Sequence, residues 1–322
     1  MNKDFWKTKS VLVTGGSGFV GRWLVRSLLS AGSQVYVLDL GLPPASATEY
    51  SYHQGTLLDL SATEKLFEQI KPSVLIHLAG QAGVAACHER PVEAFESNVV
   101  ATLNVLEAAR SYGELISLVA VSSNHIYGNQ KTLPSSEDAP LNGAGMYAAS
   151  KLCGDVMARA YGKTYCLPVS IARITNSFGG DDPHASHIVT ATILAALKGE
   201  PPVIKQSGRD LKGYLFVKDT VNGLLILAEK TAALPELHGE AFNLVPDEPI
   251  TVLSLVRKIN SLVGRNLEPE IRQPTADFED EHLDNSKAKS LLGWTPQYSL
   301  DDGLTETINW YRSGTLAEAN TR

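Results

Sequence analysis

A tyrosine and a lysine four residues apart carry the most distinctive chemistry in this sequence. Tyr147 and Lys151 stand in the stretch YAASK, and residues at this spacing share one face of a helix. A lysine ammonium beside a phenol favours the phenolate, so Tyr147 is predicted to act as a base near neutral pH. An exposed helix pair has the same spacing, so the elements around the pair must decide between the two interpretations.

A glycine-rich turn near the N-terminus predicts a cofactor. The β-branched run Ser10–Thr14 is typical of a buried parallel strand, and GGSGFVG follows it. Gly15, Gly18 and Gly21 are three residues apart, and a predicted helix and a second strand lead to Asp39. Glycines let the backbone approach a pyrophosphate at the helix N-terminus, and Asp39 would bond ribose hydroxyls and repel a 2′-phosphate. The unit therefore predicts NAD rather than NADP.

Strands and helices alternate through the first half of the chain. Short apolar runs predict further strands at 53–59, 73–79 and 115–122, and amphipathic stretches predict helices at 62–70, with Ser61 as N-cap, and at 94–110. This order predicts an α/β fold, a Rossmann-type doubly wound parallel sheet. Ligands of such sheets lie at the carboxyl ends of the strands, where Asp39, Asp59, Gly80 and Ser123 fall.

Composition limits the function. The 322 residues carry 28 Lys+Arg and 35 Asp+Glu, a net charge of −7, which argues against a nucleic-acid partner. No apolar run is long enough to cross a membrane, and the N-terminus lacks the apolar core of a signal peptide. The three cysteines have no paired spacing, which predicts no metal site and no disulfide framework, but reduced thiols in a cytoplasmic protein.

Further motifs make nearly the whole chain resemble the extended short-chain dehydrogenase/reductase family of NAD-dependent nucleotide-sugar epimerases and dehydratases. Besides the glycine turn and YAASK, they are HLAGQAGV at 77–84, SSNHIYG at 122–128, RITNSFGG at 173–180, YLFVKD at 214–219 and AFNL at 241–244. The stretches FESN, TLNVLEAAR and TETINWYR look most like the CDP-glucose 4,6-dehydratase branch.

The resemblance implies a role for each matching residue. Tyr147 would take the proton of a sugar hydroxyl, usually at C4, Ser123 would bond the reacting oxygen, and Lys151 would hold the cofactor ribose and lower the pKa of the tyrosine. Asn176 would contact the phosphates of a nucleotide-diphosphate sugar. The NAD site would be lined by Gly15, Gly18, Phe19, Val20, Asp39, Asp59, Leu60, Leu78, Ala79, Asn98, Tyr147 and Lys151.

Asn124 and His125 depart from the pattern of the dehydratases. Those enzymes carry Asp-Glu or Asp-Lys here, where the acid protonates the departing C6 hydroxyl and its neighbour removes the C5 proton. Asn124 cannot donate a proton as an acid, whereas His125 can act as a base. The 3,5-epimerases carry a proton-transferring Cys at the position of His125. Epimerisation is therefore an alternative to dehydration, and a structural hydrogen bond is the non-catalytic interpretation of His125.

Other candidate substrate residues follow Asn176 along the chain. An epimerase that deprotonates carbon needs a second acid or base, for which His184 and His187 are candidates, unless they are surface loop residues. Lys212 stands where the dehydratases usually show the arginine that grips the diphosphate. It supplies charge without a bidentate fork, and Arg209 is a nearby substitute.

Three functions are consistent with these residues. The first is a nucleotide-sugar 4,6-dehydratase that oxidises a hexose at C4 by hydride transfer to tightly bound NAD. The second is a nucleotide-sugar epimerase acting at C4, or at C5 or C3 with His125 as base. The third is a non-catalytic dinucleotide-binding protein, against which the intact pair of Tyr147 and Lys151 argues.

The predicted organisation has two parts. Residues 1–175 would form the NAD-binding domain, to which segments near 211–230 and 240–244 would return. Residues 176–322 would form a smaller C-terminal substrate-binding lobe. In the enzymes that the chain resembles, helices matching 94–110 and 147–162 form a dimer interface, so a homodimer is expected.

Overall fold

The fold is built on strands that run parallel through its centre. The computed structural model describes residues 1–43, 47–273 and 280–314. In chain order the strands of these residues are β1 (Ser10–Thr14), β2 (Gln34–Asp39), β3 (Ser51–Gln54), β4 (Val74–His77), β5 (Ser117–Ser123), β6 (Val169–Ile174), β7 (Asn176–Phe178), β8 (Val203–Ile204), β9 (Leu211–Lys212), β10 (Tyr214–Phe216), β11 (Ala241–Leu244), β12 (Ile250–Thr251) and β13 (Glu270–Ile271).

Seven of these strands form one parallel sheet in the order β11-β6-β5-β4-β1-β2-β3. The interior strand β1 pairs with β2 on one side and β4 on the other, so that Leu12 lies between Tyr36 and Leu75. The predicted α/β fold with a doubly wound parallel sheet is confirmed. Beyond β6 the sheet gains β11 as an edge strand, with Ala241 opposite Ile171.

Helices cover both faces of the sheet. In chain order they are α1 (Lys3–Trp6), α2 (Phe19–Ser30), α3 (Leu60–Ile70), α4 (Val84–Glu89), α5 (Pro91–Phe95), α6 (Ala101–Tyr112), α7 (Met146–Tyr165), α8 (Ile188–Lys198), α9 (Val217–Ala233), α10 (Val252–Val263) and α11 (Leu300–Arg312). Successive residues of β1 point to opposite faces, so Val11 and Val13 pack with α2 and α9, whereas Leu12 packs with α3, α6 and α7.

Smaller strand pairs lie outside the main sheet. They join β10 to β7, β12 to β9 and β13 to β8. The apolar faces of α8, α10 and α11 join the same core as α2 and α9. Helices α8, α10 and α11 therefore share one hydrophobic core with the sheet that carries the glycine turn.

Two local predictions are corrected by the structure between β2 and α3. The strand predicted at 53–59 is Ser51–Gln54, and a loop follows it. The N-cap of α3 is Asp59, whose carboxylate accepts from the N–H of Ala62 at 3.0 Å, and Ser61 lies inside the helix. A carboxylate binds helix N–H groups more strongly than a hydroxyl does, because it is charged.

The helix predicted at 94–110 is interrupted. A π turn at Glu96–Val100 separates α5 from α6. The extra residue turns Asn98 inward, where it is buried and its amide bonds both the backbone of Gln81 and the hydroxyl of Ser150. Tertiary hydrogen bonding thus replaces the regular helix at this position.

His77, at the end of β4, makes the fold sensitive to acid. Its ring bonds the hydroxyls of Thr14 and Thr102 at 2.7 and 3.1 Å, and burial, assisted by the charge of Lys151, lowers its pKa from 6.5 to about 3. Between these values the unfolded chain binds the proton and the folded chain does not. The free energy of unfolding should therefore fall as pH decreases through this window, by at most about 5 kcal/mol.

Urea denaturation at a series of pH values tests this contribution. Carboxylates also titrate in the same range, so the comparison is between the wild type and His77→Gln. The variant should show a smaller loss of stability between pH 6.5 and pH 3. An equal loss in both proteins would show that His77 does not control the acid sensitivity.

Within residues 1–43, 47–273 and 280–314, no helix combines the length and the hydropathy that crossing a bilayer requires.

Candidate active site

The glycine turn forms a cradle between β1 and α2. Gly15 has a φ of +74°, and a side chain there would place its Cβ 2.7 Å from the backbone nitrogen of Ala79. Gly18 is the N-cap of α2 and has no side chain, so the first N–H groups of the helix remain available to an anion. Backbone N–H groups and the positive end of α2 thus meet at one point, as a pyrophosphate requires.

Gly21→Ala is expected to weaken NAD binding about 10- to 100-fold, because overpacking of this kind costs about 1–3 kcal/mol. A Cβ on Gly21 would lie 2.2 Å from the carbonyl oxygen of Gly15, so the turn and the helix would have to separate. Titration calorimetry of the NAD-free protein with NAD measures the change.

The matched control is Gly41→Ala, two residues beyond Asp39. A Cβ there meets no atom of the described residues within 4 Å, so NAD affinity should stay unchanged. If both variants bind NAD like the wild type, the close approach of Gly21 to Gly15 does not govern the cofactor site.

Asp39 stands at the carboxyl end of β2 beside this cradle. Its carboxylate accepts from the N–H of Ser17 at 2.9 Å and from the N–H of Leu40 at 2.8 Å. Because Ser17 belongs to the glycine turn, the acid and the turn are fixed to each other. A carboxylate here suits free ribose hydroxyls and opposes a 2′-phosphate. The cradle and the acid together fit NAD.

The other predicted cofactor residues surround the same strand ends. Phe19 and Val20 open α2, Asp59 and Leu60 open α3, and Leu78 and Ala79 follow β4. Asn98 holds the loop after β4 against α7 through Gln81 and Ser150. In this structure its amide therefore positions the loop that borders the cradle.

Tyr147, Lys151 and Ser123 come together where α7 passes the end of β5. The Nζ of Lys151 donates to the carbonyl of Val121 at 2.6 Å, and burial lowers the pKa of Lys151 to about 8. Burial also raises the pKa of Tyr147, and the Ser123 hydroxyl acts in the opposite direction. The predicted lowering of the Tyr147 pKa by Lys151 stays a prediction, because the Lys151 ammonium here donates to a backbone carbonyl.

Asn124 and His125 point in different directions from the end of β5. The His125 ring lies edge-on to Tyr147, with centroids 5.4 Å apart. Asn124 is buried, and its Nδ2 donates to Glu281 at 2.5 Å, while its Oδ1 accepts from the hydroxyl of Ser123 at 3.3 Å. Only His125 of the two lines the large cavity beside Tyr147.

That cavity has a volume of about 890 Å³ and an apolar wall. It is lined by Tyr147 and His125 and by apolar residues that include Val84, Ala144 and Ile188. His88 on α4 also lines it, which sequence reasoning missed because no motif spacing singled this residue out. A cavity of this size accommodates a small organic ligand.

The predicted substrate residues are dispersed. Asn176 donates to the carbonyl of Gly213 at 3.1 Å, and Lys212 pairs with Glu281 at 2.5 Å. The backbone N–H of Arg209 donates to the hydroxyl of Ser207. None of Asn176, Arg209 and Lys212 is among the described residues that line the cavity, although Gly208 and Asp210 are.

His184 and His187 lie beside Asp182. The Nδ1 of His187 is 2.7 Å from the Asp182 carboxylate, and the two imidazole rings are 4.9 Å apart. Burial lowers the pKa of His184. Among the described residues the cavity wall includes Ser186 but neither histidine, so the structure does not bring them to Tyr147.

The described residues also contain no group of three or more His, Cys, Asp or Glu side chains that could hold a metal ion. The site therefore consists of the glycine cradle, the strand-end residues and the cavity over Tyr147.

Several known proteins are similar to this chain in sequence and in fold. UDP-glucose 4-epimerase of Mycolicibacterium smegmatis is 33% identical over 94% of this chain and 98% of that protein. dTDP-glucose 4,6-dehydratase of Haemophilus influenzae is 27% identical over 94% of this chain and 97% of that protein. The structure of Thermus thermophilus UDP-glucose 4-epimerase in complex with NAD matches with a TM-score of 0.83 and 28% identity, covering 95% of this chain and 99% of that one.

The family itself follows from the extent of the match. The sequence model of the NAD dependent epimerase/dehydratase family matches residues 11–244, from β1 to the last residue of β11. The resemblance and the NAD cofactor predicted from the sequence are thereby confirmed. The chain belongs to the NAD dependent epimerase/dehydratase family of enzymes.

Proposed function

We propose that this enzyme interconverts two nucleotide-linked hexoses that differ in configuration at C4. One observation carries the proposal: Asn124 stands at the position of the dehydratases' acid, and its amide is bonded to Glu281 outside the large cavity. Loss of water from C5 and C6 needs a proton for the leaving hydroxyl, which an amide cannot supply. Inversion at C4 needs no such acid.

The chain's own residues perform the proton steps of this reaction. The glycine cradle and Asp39 would hold NAD, which would supply the acceptor and donor of the hydride at the sugar carbon. Tyr147 accepts the proton of the C4 hydroxyl as the carbonyl forms and gives it back as the alcohol re-forms. Ser123 hydrogen-bonds the same oxygen, and Lys151 holds the cofactor ribose.

Inversion also requires the keto sugar to present its other face before the hydride returns. The cavity supports this step, because its volume of about 890 Å³ and apolar walls leave the sugar few fixed contacts. The relative from Mycolicibacterium smegmatis, named UDP-glucose 4-epimerase, supports a UDP-hexose as the first substrate to test.

His125 supports a second candidate reaction. Its imidazole lines the cavity and contacts the Tyr147 ring, so it is placed to remove a proton from a carbon next to the transient ketone. This would give epimerisation at C5 or C3. The predicted 4,6-dehydration also begins with C4 oxidation and differs only in the later loss of water.

Product analysis in deuterated water distinguishes these reactions. The purified enzyme is incubated separately with UDP-, dTDP-, CDP- and GDP-hexoses, and the products are examined by mass spectrometry and NMR. We expect the C4 epimer with no deuterium on carbon, because the hydride never exchanges with solvent.

Each other outcome contradicts the proposed C4 inversion. Deuterium on a carbon of an isomeric product indicates deprotonation by a base such as His125. Loss of the mass of one water molecule indicates dehydration. Bound NAD with no turnover of any sugar indicates a non-catalytic dinucleotide-binding protein.

We also propose which segments of the chain bind the cofactor and which bind the substrate. Residues 1–175, with β11 and α9 returning to the sheet, would hold NAD, and residues 176–322 would provide most of the substrate site. Three free thiols, Cys87, Cys153 and Cys166, suit a reducing cytoplasm.

A homodimer would cover the exposed apolar side chains of neighbouring helices, Leu103 on α6 and Val156 on α7. Val156→Glu should place a charge in that interface and give monomers. Light scattering of the wild type and the variant tests this assembly, and a monomeric wild type would contradict it.

A further inference from the structure

Glu281 lies between Lys212 and Asn124, to which the sequence analysis gave separate roles. Its Oε1 accepts from the Nζ of Lys212 and its Oε2 from the Nδ2 of Asn124, both at 2.5 Å. Its backbone N–H also donates to the carbonyl of Leu211 at 2.8 Å, which ties this segment to β9. The side chains of Glu281 and Lys212 are 14% and 19% exposed, so both charges are largely removed from water.

An ionised carboxylate can only accept hydrogen bonds, so Glu281 determines which end of the Asn124 amide faces it. The NH₂ group points to Glu281, and the carbonyl oxygen must point to Ser123. The Ser123 hydroxyl therefore donates to Asn124, while its oxygen accepts from the N–H of His125 at 3.2 Å. Through one intervening side chain, Glu281 thus fixes the position of the Ser123 oxygen, which Asn124 and the N–H of His125 hold between them in the sugar-free enzyme.

Lys212 completes this arrangement. A carboxylate so far removed from water needs a partner charge, because an unpaired buried charge is strongly destabilising. Lys212 meets that need from β9, and its ammonium is thereby engaged by the protein. A carboxylate at position 124 would instead face Glu281 directly, so the neutral amide suits this neighbour.

We propose that Glu281 is a positioning residue, which holds the Ser123 oxygen beside Tyr147 through Asn124, and that Lys212 serves Glu281 rather than the substrate diphosphate. When the sugar binds, the Ser123 proton turns from Asn124 to the C4 oxygen. The proposal rests on the first half of the proposed function, the oxidation of the sugar at C4. It does not depend on whether inversion or dehydration follows.

The role of Glu281 is tested by stopped-flow mixing of the NAD-bound enzyme with UDP-, dTDP-, CDP- and GDP-hexoses. The measured quantity is the rate at which the cofactor is reduced. With the sugar that the wild type oxidises fastest, Glu281→Gln should lower this rate about 10- to 100-fold, because misplacement of a group that contacts the reacting oxygen costs this much. KM should change less than about threefold, since binding of the sugar nucleotide is not involved.

A double-mutant cycle separates positioning from a general structural role. Asn124→Ala should slow cofactor reduction to a similar extent, and adding Glu281→Gln to it should cause no further loss, because Glu281 acts only through Asn124. The control is Asp301→Asn, which breaks the exposed ion pair with Lys258 and should leave rate and KM unchanged.

The proposal would be overturned by an unchanged rate of cofactor reduction in Glu281→Gln, or by additive losses in the double variant. A raised KM with an unchanged rate in Lys212→Met would also overturn it, because that result would show that Lys212 binds the substrate diphosphate. If Glu281→Gln does not fold, the joint variant Lys212→Met with Glu281→Leu leaves neither an unpaired charge nor an acceptor for the Asn124 amide, and it should show the same rate loss. A wild type that reduces its cofactor but makes no C4 epimer contradicts the proposed function alone, whereas no reduction with any sugar contradicts both.

Discussion

Tyr147→Phe should lower the rate of sugar oxidation by about 10²- to 10⁴-fold, the usual contribution of a general base. The phenol oxygen is the proposed proton acceptor beside Ser123, and phenylalanine removes it while keeping the ring that packs against His125. NAD affinity should change little, because the glycine cradle and Asp39 lie at the ends of other strands. Cofactor reduction on mixing with a nucleotide hexose measures the rate, and calorimetry measures NAD binding.

Tyr161→Phe is the matched control for this variant, because it removes a hydroxyl from the same helix. The Tyr161 hydroxyl donates to Glu107 at 3.0 Å on the side of α7 that packs against α6. Its loss should leave the rate of oxidation unchanged. If Tyr147→Phe oxidised the sugar at the rate of the wild type, another group would have to be the base.

The cofactor half of the site was predictable because its signals are local. The cradle and its acid lie within residues 10–39, where strand, turn, helix and second strand follow each other in one short unit. Glycine spacing reports directly on backbone crowding, as the close approach of Gly21 to Gly15 illustrates. The pair of Tyr147 and Lys151 was equally local, since one helical turn separates the two residues.

The substrate half was not predictable, because distant residues decide it. The direction of the Asn124 amide depends on Glu281, which lies 157 positions away along the chain. The pKa of Tyr147 depends on the depth at which α7 is buried, a quantity that residue spacing does not contain. His88 reaches the cavity only because α4 folds back over α7.

Arg173→Met should destabilise the folded protein by about 3–5 kcal/mol, because it leaves a buried carboxylate without its partner charge. Arg173 on β6 is fully buried and bonds both oxygens of Asp155, at 3.0 and 2.9 Å. One of its guanidinium nitrogens, Nη1, donates to the hydroxyl of Tyr127 at 2.8 Å and to the carbonyl of Glu137 at 3.0 Å. Guanidinium denaturation measures the free energy of unfolding.

The double variant Arg173→Met with Asp155→Leu separates two effects: the loss of the attraction between Arg173 and Asp155, and the cost of leaving the buried Asp155 carboxylate without a partner charge. Removing both charges should recover most of the stability, since apolar replacement of a buried ion pair is often close to neutral. Arg257→Met, which breaks an exposed pair with Glu268, should cost less than about 1 kcal/mol. A double variant as unstable as Arg173→Met would instead assign the loss to the bonds with Tyr127 and Glu137. Since Asp155 lies two helical turns after Tyr147 on α7, the same ion pair also anchors the helix that carries the proposed base.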